Sequence, residues 1–437
     1  MDKVRALAAD ILLEFERRNT YPNLALNTRL KQISNLRDKK FITALVYGVI
    51  EKRLFLDFYI SRVSSVKLKK IDIVILTILR MGLYQQLFMK VPPSAACNTS
   101  VNLAKDFNKS VSAGFVNAVL RRLGREYESI SIPEDDTAQY LSITYSVSKP
   151  IVNKLIDIFG KDECESFLKA SSGPVCGCYI AVNILKTTPG KLFDMLNQKG
   201  VYVKKTAYDN LLYVEGLGSV EQNELYRSGY FHIISYPSFI AAHMFQPKPN
   251  AVIMDMCSAP GGKTFVIAEN MPSADIYAFD IHPHKINIIK NQARRLGIKN
   301  IKTKAINAAS YDNANLYQKA DYILCDVPCS GLGMIKEKPD IKYKMVDFEA
   351  LTALQLQILN NASKYLKTGG KLIYSTCTIN PDENDRLICK FLKKSNQFRI
   401  DETAQIVDNI VGEMSFLPHK DFTDGFYIAA LTKRPIE

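Results

Sequence analysis

The stretch that decides the fold runs Val252-Ile253-Met254-Asp255-Met256-Cys257-Ser258-Ala259-Pro260-Gly261-Gly262-Lys263-Thr264. Its first five residues are apolar apart from one acid, as in a strand covered on both faces. The small residues that follow let the backbone turn tightly, so that N–H groups approach a ligand with the positive end of the next helix behind them. A phosphate-binding P-loop would need glycine where Cys257 stands, and a dinucleotide loop would need G-x-G-x-x-G. A plain strand-to-helix turn is the bland alternative. Against it stands Asp280, which closes the next apolar run. A carboxylate there accepts both ribose hydroxyls of an adenosine. The economical reading is a nucleoside-containing cofactor without a pyrophosphate.

Outward from the loop, strand patterns at 276–280, 322–326 and 371–375 alternate with helical patterns at 263–269, 285–296 and 348–366. That order predicts an α/β doubly wound parallel sheet, Rossmann-like, whose ligands sit beyond the carboxyl ends of the strands where strand order reverses. One strand delivers Asp326 and then Pro328-Cys329-Ser330-Gly331. The next delivers Thr376-Cys377-Thr378, followed by Asn380-Pro381-Asp382-Glu383-Asn384. Neighbouring strands thereby place one carboxylate and two thiols on one rim. A lone cysteine is usually a small buried hydrophobe, a reading that suits Cys325 inside its strand. Cys329 and Cys377 instead leave strand ends beside Pro, Ser and Thr, where a thiolate has access to an electron-poor carbon. The residues alone leave open which thiol attacks.

Upstream the texture differs. Residues 1–140 hold 22 Lys/Arg against 14 Asp/Glu, more than half of the chain's net +13. Apolar residues there keep helical spacing (Val4, Leu7, Ile11, Phe15), and 71–79 is apolar nearly all round, as for a central helix. We read 1–140 as an all-α unit ending in an acidic, Pro-containing linker. Residues 141–235 read as linker helices and a small α+β module, with a strand at 178–185, a helix at 189–198 and a hairpin at 201–214. Residues 236–437 form the catalytic α/β domain.

Composition narrows the class. The 437 residues, 47% apolar and 23% charged, are globular in balance, and no apolar run approaches the roughly 20 residues of a membrane span. A charged helical pattern in place of a signal peptide leads us to expect a soluble cytoplasmic protein, a monomer, with its nine cysteines reduced. The positive balance favours a polyanionic partner. Lys186, Lys204, Lys205, Lys336, Lys338 and Lys342 are candidates for a basic rim. No metal is expected: His282 and His284 flank Pro283 without a cysteine and histidine quartet, and Cys176-Gly177-Cys178 lacks a second pair. A zinc deaminase would need a cysteine three residues after Cys329, and there is none.

The phrases CSAPGGKT, DVPCSGLGMI, KPDIKY, YSTCTINPDEN and DGFYIAAL resemble the motifs of the RNA cytosine-C5 methyltransferases of the NOL/NSUN/Sun group. NTRLKQISNLRDKKFITALVYGVIEKR and GFVNAVLRRL resemble a NusB-type RNA-binding domain, and the fusion resembles the group's bacterial small-subunit (16S) rRNA members. The small module would be RRM-like. The resemblance implies S-adenosylmethionine held by Cys257, Ser258, Ala259, Pro260, Gly261, Gly262, Lys263, Asp280, Asn307 and Asp326. It implies that Cys377 attacks C6 of a cytosine, that Asp326 bonds the base near N3, and that Cys329 assists release. This chain departs from the group's pattern at Asn307 (usually Asp), Ser258 (Ala), Tyr343 (Trp) and Ala181 (Arg). Two rival readings are a methyltransferase for another substrate, such as tRNA, a small molecule or a protein, and an RNA-binding assembly or antitermination factor with an inert methyltransferase domain. The basic helical third argues against the small-molecule and protein substrates; the intact Cys329, Cys377 and Asp326 argue against inertness.

The cofactor reading is checked by thermal unfolding. S-adenosylmethionine at a hundredfold excess over Kd is expected to stabilise the protein by about 2.7 kcal/mol, whereas NAD and ATP leave the Tm unchanged.

Overall fold

A computed structural model describes residues 2–18, 26, 28–173, 175–246 and 248–435. Asn27, which opens the NTRLKQ motif, lies outside the described residues. The chain divides into two compact units: residues 1–172 with 338–345, and residues 173–337 with 346–437.

The first unit is helical. Its helices Lys3–Arg18, Leu36–Glu51, Arg53–Val63, Pro93–Asp106 and Ala113–Glu126 each turn an apolar stripe onto the helix Ile73–Phe88, which is buried over most of its circumference. The Asp72 side chain caps that central helix by accepting the Val74 and Ile75 N–H groups. Three further helices, Thr137–Tyr145, Lys149–Phe159 and Lys161–Ala170, follow in the same unit. One charge is sunk among the apolar residues. Arg80, only 6% exposed, is held by Asp57 through Nε and Nη2 (2.7 and 2.8 Å) and by Glu16 through Nη1 (2.8 Å). The inserted segment 338–345 is also anchored here. The Tyr343 hydroxyl lies 2.6 Å from the Ile50 carbonyl and 3.0 Å from Ser146 Oγ, and the Arg53 guanidinium stacks 4.0 Å from its ring centre. Lys342, proposed from the sequence for a basic rim, is 1% exposed in this unit, with Nζ 3.4 Å from the Tyr145 carbonyl. Burial pushes its ammonium down to about 8. It contributes no surface charge, because the segment that carries it is an inserted core element.

The second unit opens with an antiparallel sheet in the order β2-β3-β1-β4, made of β1 (Gly177–Val182), β2 (Tyr202–Lys205), β3 (Leu211–Glu215) and β4 (Phe231–Ile233). The helix Pro189–Gln198 packs Leu192 and Leu196 into its core. Then come β5 (Val252–Asp255), β6 (Asp275–Asp280), β7 (Ile301–Ala305), β8 (Ala320–Asp326), β9 (Leu366–Thr376), β10 (Phe398–Ile400), β11 (Gln405–Val407), β12 (Ile410–Val411), β13 (Glu413–Phe416) and β14 (Phe426–Lys433). The main sheet runs β10-β14-β9-β8-β5-β6-β7, with β13 on β14. From β9 to β7 neighbouring strands are parallel, as expected; β14 pairs antiparallel with β9 and β10 with β14. The DGFYIAAL motif supplies β14, so a motif read as a signature is a central strand. The expected helix 348–366 ends at Ser363, and β9 starts at Leu366 rather than residue 371, its register with β8 slipping between Ala320 and Tyr322. The chain leaves β5 toward β6 and β7, then returns to β8 on the other side. The switch point therefore lies between β5 and β8.

The Arg80 cluster generates a stability prediction. Asp57→Ala leaves a buried guanidinium short of a partner and is expected to cost about 3–5 kcal/mol, whereas replacing Arg80, Asp57 and Glu16 together by Met, Leu and Leu costs far less. Denaturant midpoints of the two variants check it.

Candidate active site

The parallel strands end on a common rim, and Asp255, Asp280 and Asp326 are the last residues of β5, β6 and β8. Asp255 is 1% exposed and folds the glycine loop back on itself: Oδ2 accepts the Thr264 hydroxyl (2.6 Å) and Oδ1 the Cys257 N–H (3.3 Å). Burial pushes its carboxyl up to about 7, with Thr264 opposing and Asp326 adding to the rise. Ser258 anchors the loop to β6 by donating both N–H and hydroxyl to the Phe279 carbonyl (2.7 and 2.8 Å). Gly261 has φ +111° and a Cβ there would lie 2.3 Å from the Phe265 ring, so only glycine fits. The helix Gly262–Asn270 starts immediately after it.

These residues suit a nucleoside without phosphates. Lys263, the cation a P-loop would aim at a phosphate, is instead committed to Asp326 (Nζ to Oδ2, 2.7 Å) and lies 5.1 Å from the Phe426 ring centre. Asp280 uses Oδ1 to accept the His282 N–H (2.9 Å), and among the described residues Oδ2 has no protein donor, which leaves it for hydroxyls. Asn307 is exposed after β7; its Oδ1 accepts the Ala309 N–H (3.1 Å) and its carbonyl the Tyr311 N–H (2.7 Å), making a turn with the amide nitrogen left as a donor.

The two thiols meet. Cys329 Sγ lies 3.2 Å from Cys377 Sγ. In the β8–β9 register Asp326 stands opposite Ser375, whose hydroxyl donates to Asp326 Oδ1 (2.8 Å). The contact with Cys377, burial, and the charges of Glu383 and Asp326 push the Cys329 thiol well above its ordinary range. Cys325 is fully buried in β8 and its thiol is pushed up by burial, as the sequence reading expected of a core cysteine. Cys257 is likewise pushed up, by burial first.

Sequence reasoning gave no role to the residues that hold the two loops together. Glu383, fully buried, accepts the Ser330 N–H (2.8 Å), the Ser330 hydroxyl (2.6 Å), Gln355 Nε2 (2.9 Å) and Asn380 Nδ2 (3.0 Å). Asn384 accepts the Thr376 hydroxyl (2.6 Å) and donates to the Thr378 carbonyl (3.0 Å). The Gly333 N–H donates to the Cys377 carbonyl (3.1 Å) and the Gly425 N–H to the Gly333 carbonyl (3.0 Å). A Cβ on Gly333 would come within 1.9 Å of the Gly425 carbonyl oxygen. The available signal was an acid set among Asn, Thr and Pro directly after a strand end. Of the proposed basic rim, Lys186, Lys204, Lys205, Lys336 and Lys338 are exposed, and Lys186 also donates to the Ser228 and Arg295 carbonyls (2.9 and 2.7 Å). His282 and His284 lie with ring centres 5.4 Å apart, and no group of residues able to hold a metal ion occurs among the described residues. No helix among them is long and apolar enough to cross a membrane.

Comparison with known proteins adds to the geometry. Residues 242–432 match the family model of the 16S rRNA methyltransferase RsmB/F, and residues 2–125 that of the NusB family. The chain is similar to the probable ribosomal RNA small subunit methyltransferase B of Bacillus subtilis (31% identity, 99% of each chain). It is also similar to that of Synechocystis sp. (32% identity, 99% of this chain and 100% of the relative). In fold it is similar to the solved structure of PH0851 (TM-score 0.84, 23% identity, 98% of each chain). A further fold likeness is to NSun6 from Pyrococcus horikoshii with SFG (TM-score 0.59, 24% identity, 66% of this chain and 99% of that one).

The buried Asp255 generates a pH prediction. Its carboxyl titrates at about 7 in the fold against 3.8 unfolded, so between these values the folded state holds the proton and the unfolded state does not. Stability from this group is therefore lost as pH rises from about 4 through about 7. Asp255→Asn is expected to flatten that fall, as read from urea unfolding at a series of pH values.

Proposed function

The chain belongs to the RsmB/F family of 16S rRNA methyltransferases, and we propose that it methylates C5 of a cytosine in small-subunit rRNA with S-adenosylmethionine. The observation that carries this reading is the pair of thiols 3.2 Å apart beside Asp326 on the rim of the sheet. A cytosine ring is a poor carbon nucleophile at C5. Addition of a thiolate at C6 makes C5 electron-rich, and a second thiol nearby then handles the proton that must leave C5.

In this scheme the Cys377 thiol loses its proton to solvent and its sulfur bonds to C6; the C5–C6 π pair moves toward C4 and N3, where Asp326 holds the base and Lys263 supplies the compensating positive charge. The cofactor supplies an electrophilic methyl group on a sulfonium. Asp280 would hold its ribose through the oxygen left open, the backbone of Cys257, Ser258, Ala259, Pro260, Gly261 and Gly262 its charged end, and the Asn307 amide its adenine. Once C5 carries the methyl, Cys329 takes the C5 proton, the Cys377–C6 bond breaks and its electron pair returns to sulfur. For this step Cys329 acts as the thiolate, its own proton having gone to solvent, and the surroundings that push its thiol upward make that thiolate a strong base for the C5 proton. The helical residues 1–140 supply affinity for the RNA backbone through their excess of Lys and Arg. The target base has to be unstacked to reach Cys377, which favours a loop or a flipped nucleotide.

Separate thiol variants test the assignment. Cys377→Ala is expected to form neither 5-methylcytosine nor a covalent complex. Cys329→Ala is expected to add, methylate and stall, leaving a protein–RNA conjugate that survives denaturing electrophoresis. A conjugate in Cys377→Ala and none in Cys329→Ala would reverse the roles.

A further inference from the structure

We propose that Glu383 is a positioning residue for this reaction, clamping the loop that carries Cys329 to the loop that carries Cys377. The inference rests on the cytosine-C5 reading above and adds to it a residue that touches neither base nor cofactor.

Glu383 is a carboxylate with no exposed surface, and among the described residues no Lys or Arg pairs with it. Such a group is costly to bury, and apolar side chains of similar size would serve stability better. Its partners show what the burial achieves. Oε2 accepts the Ser330 N–H and Gln355 Nε2; Oε1 accepts the Ser330 hydroxyl and Asn380 Nδ2. The Ser330 hydroxyl also lies 2.7 Å from Thr378 Oγ1. Ser330 follows Cys329 in the chain, and Thr378 follows Cys377. Each thiol thus sits one residue from the clamp, and the 3.2 Å between the sulfurs is set across it.

The donors leave little freedom. The Ser330 N–H is backbone and can only donate. The Gln355 amide is oriented by two acceptors at once, the Pro328 carbonyl and Glu383 Oε2, both at 2.9 Å, so its nitrogen must face them even though its own oxygen has no partner among the described residues. Two N–H groups converging on Oε2 demand an acceptor there. Glutamine at 383 keeps the shape but loses the charge, and its NH2 goes better on the Oε1 side, where the Ser330 hydroxyl can turn to accept although Asn380 Nδ2 is left facing another donor. Glu383 also faces Cys329 electrostatically. The other groups around that thiol are Cys377, Asp326 with its partner Lys263, and the Tyr374 hydroxyl, which donates to the Glu383 carbonyl (2.7 Å). Removing the negative charge at 383 makes the Cys329 thiolate easier to form.

The test uses full-length protein, S-adenosylmethionine and unmodified small-subunit rRNA. Glu383→Gln is expected to lower kcat on the order of a hundredfold, the scale of a misplacement of about 1 Å between reacting groups. KM for RNA and Kd for the cofactor should stay within about twofold of wild type. In a Cys377→Ala background, the pH profile of Cys329 alkylation by iodoacetamide should move to lower pH when Glu383→Gln is added. Glu383→Ala, which removes the clamp outright, should be worse in kcat than Glu383→Gln at equal cofactor affinity. Wild-type kcat in Glu383→Gln, or an alkylation profile that does not move, overturns the proposal. If wild type itself leaves no 5-methylcytosine in the RNA, the cytosine reading fails, and the alkylation profile still decides whether Glu383 governs Cys329.

Discussion

Parallel pairing of β5, β8 and β9 is the constraint on which the site depends. Parallel strands end on the same side, so the loops after Asp255, Asp326 and Thr376 emerge side by side although more than a hundred residues separate the first from the last. The β8–β9 register then sets Asp326 opposite Ser375, which fixes one carboxylate oxygen and leaves the other to Lys263 from the glycine-loop helix. Three loops are tied through one side chain. The antiparallel β14 beside β9 extends the arrangement, because it delivers Gly425 against Gly333 and seats the end of the Cys329 loop on backbone hydrogen bonds.

Charge in this rim is handled in three different ways, each set by what surrounds the group. Asp326 is ion-paired and partly exposed. Asp255 is buried and has no ion-pair partner among the described residues, and burial pushes its carboxyl up to about 7. Glu383 is buried among donors, which neutralise it by geometry rather than by an opposite charge. Thiols differ in the same way. Cys325 and Cys257 are held neutral chiefly by burial, whereas the contact with Cys377 contributes most to holding Cys329 protonated.

Much of this was legible in the sequence because it is local. Helical spacing marked the first unit, with the stretch at 71–79, apolar nearly all round, falling from residue 73 onward in the central helix Ile73–Phe88. The hairpin expected at 201–214 is β2 and β3 in antiparallel register. The glycine loop, Asp280, Asp326 and the two cysteines beyond their strand ends were found because a strand end followed by small residues has a local signature. Lys342 shows where local reading misleads: a lysine beside Pro, Asp and Tyr looks exposed, yet its segment is inserted among helices hundreds of residues upstream.

What the sequence alone determined is the order of elements, a glycine loop that lacks the phosphate-binding pattern and two cysteines just beyond strand ends, since periodicity and turn composition depend only on neighbours in the chain. Only the tertiary structure decided how far apart the sulfurs stand, that Lys263 serves Asp326 rather than a phosphate, and that Glu383 has no access to water. Those facts arise from strand register and from groups that meet across 27 to 63 residues of chain, between Gln355 and Pro328 at one extreme and Lys263 and Asp326 at the other. Hydrogen bonds and burial act through space, and no local pattern encodes which distant donor will arrive.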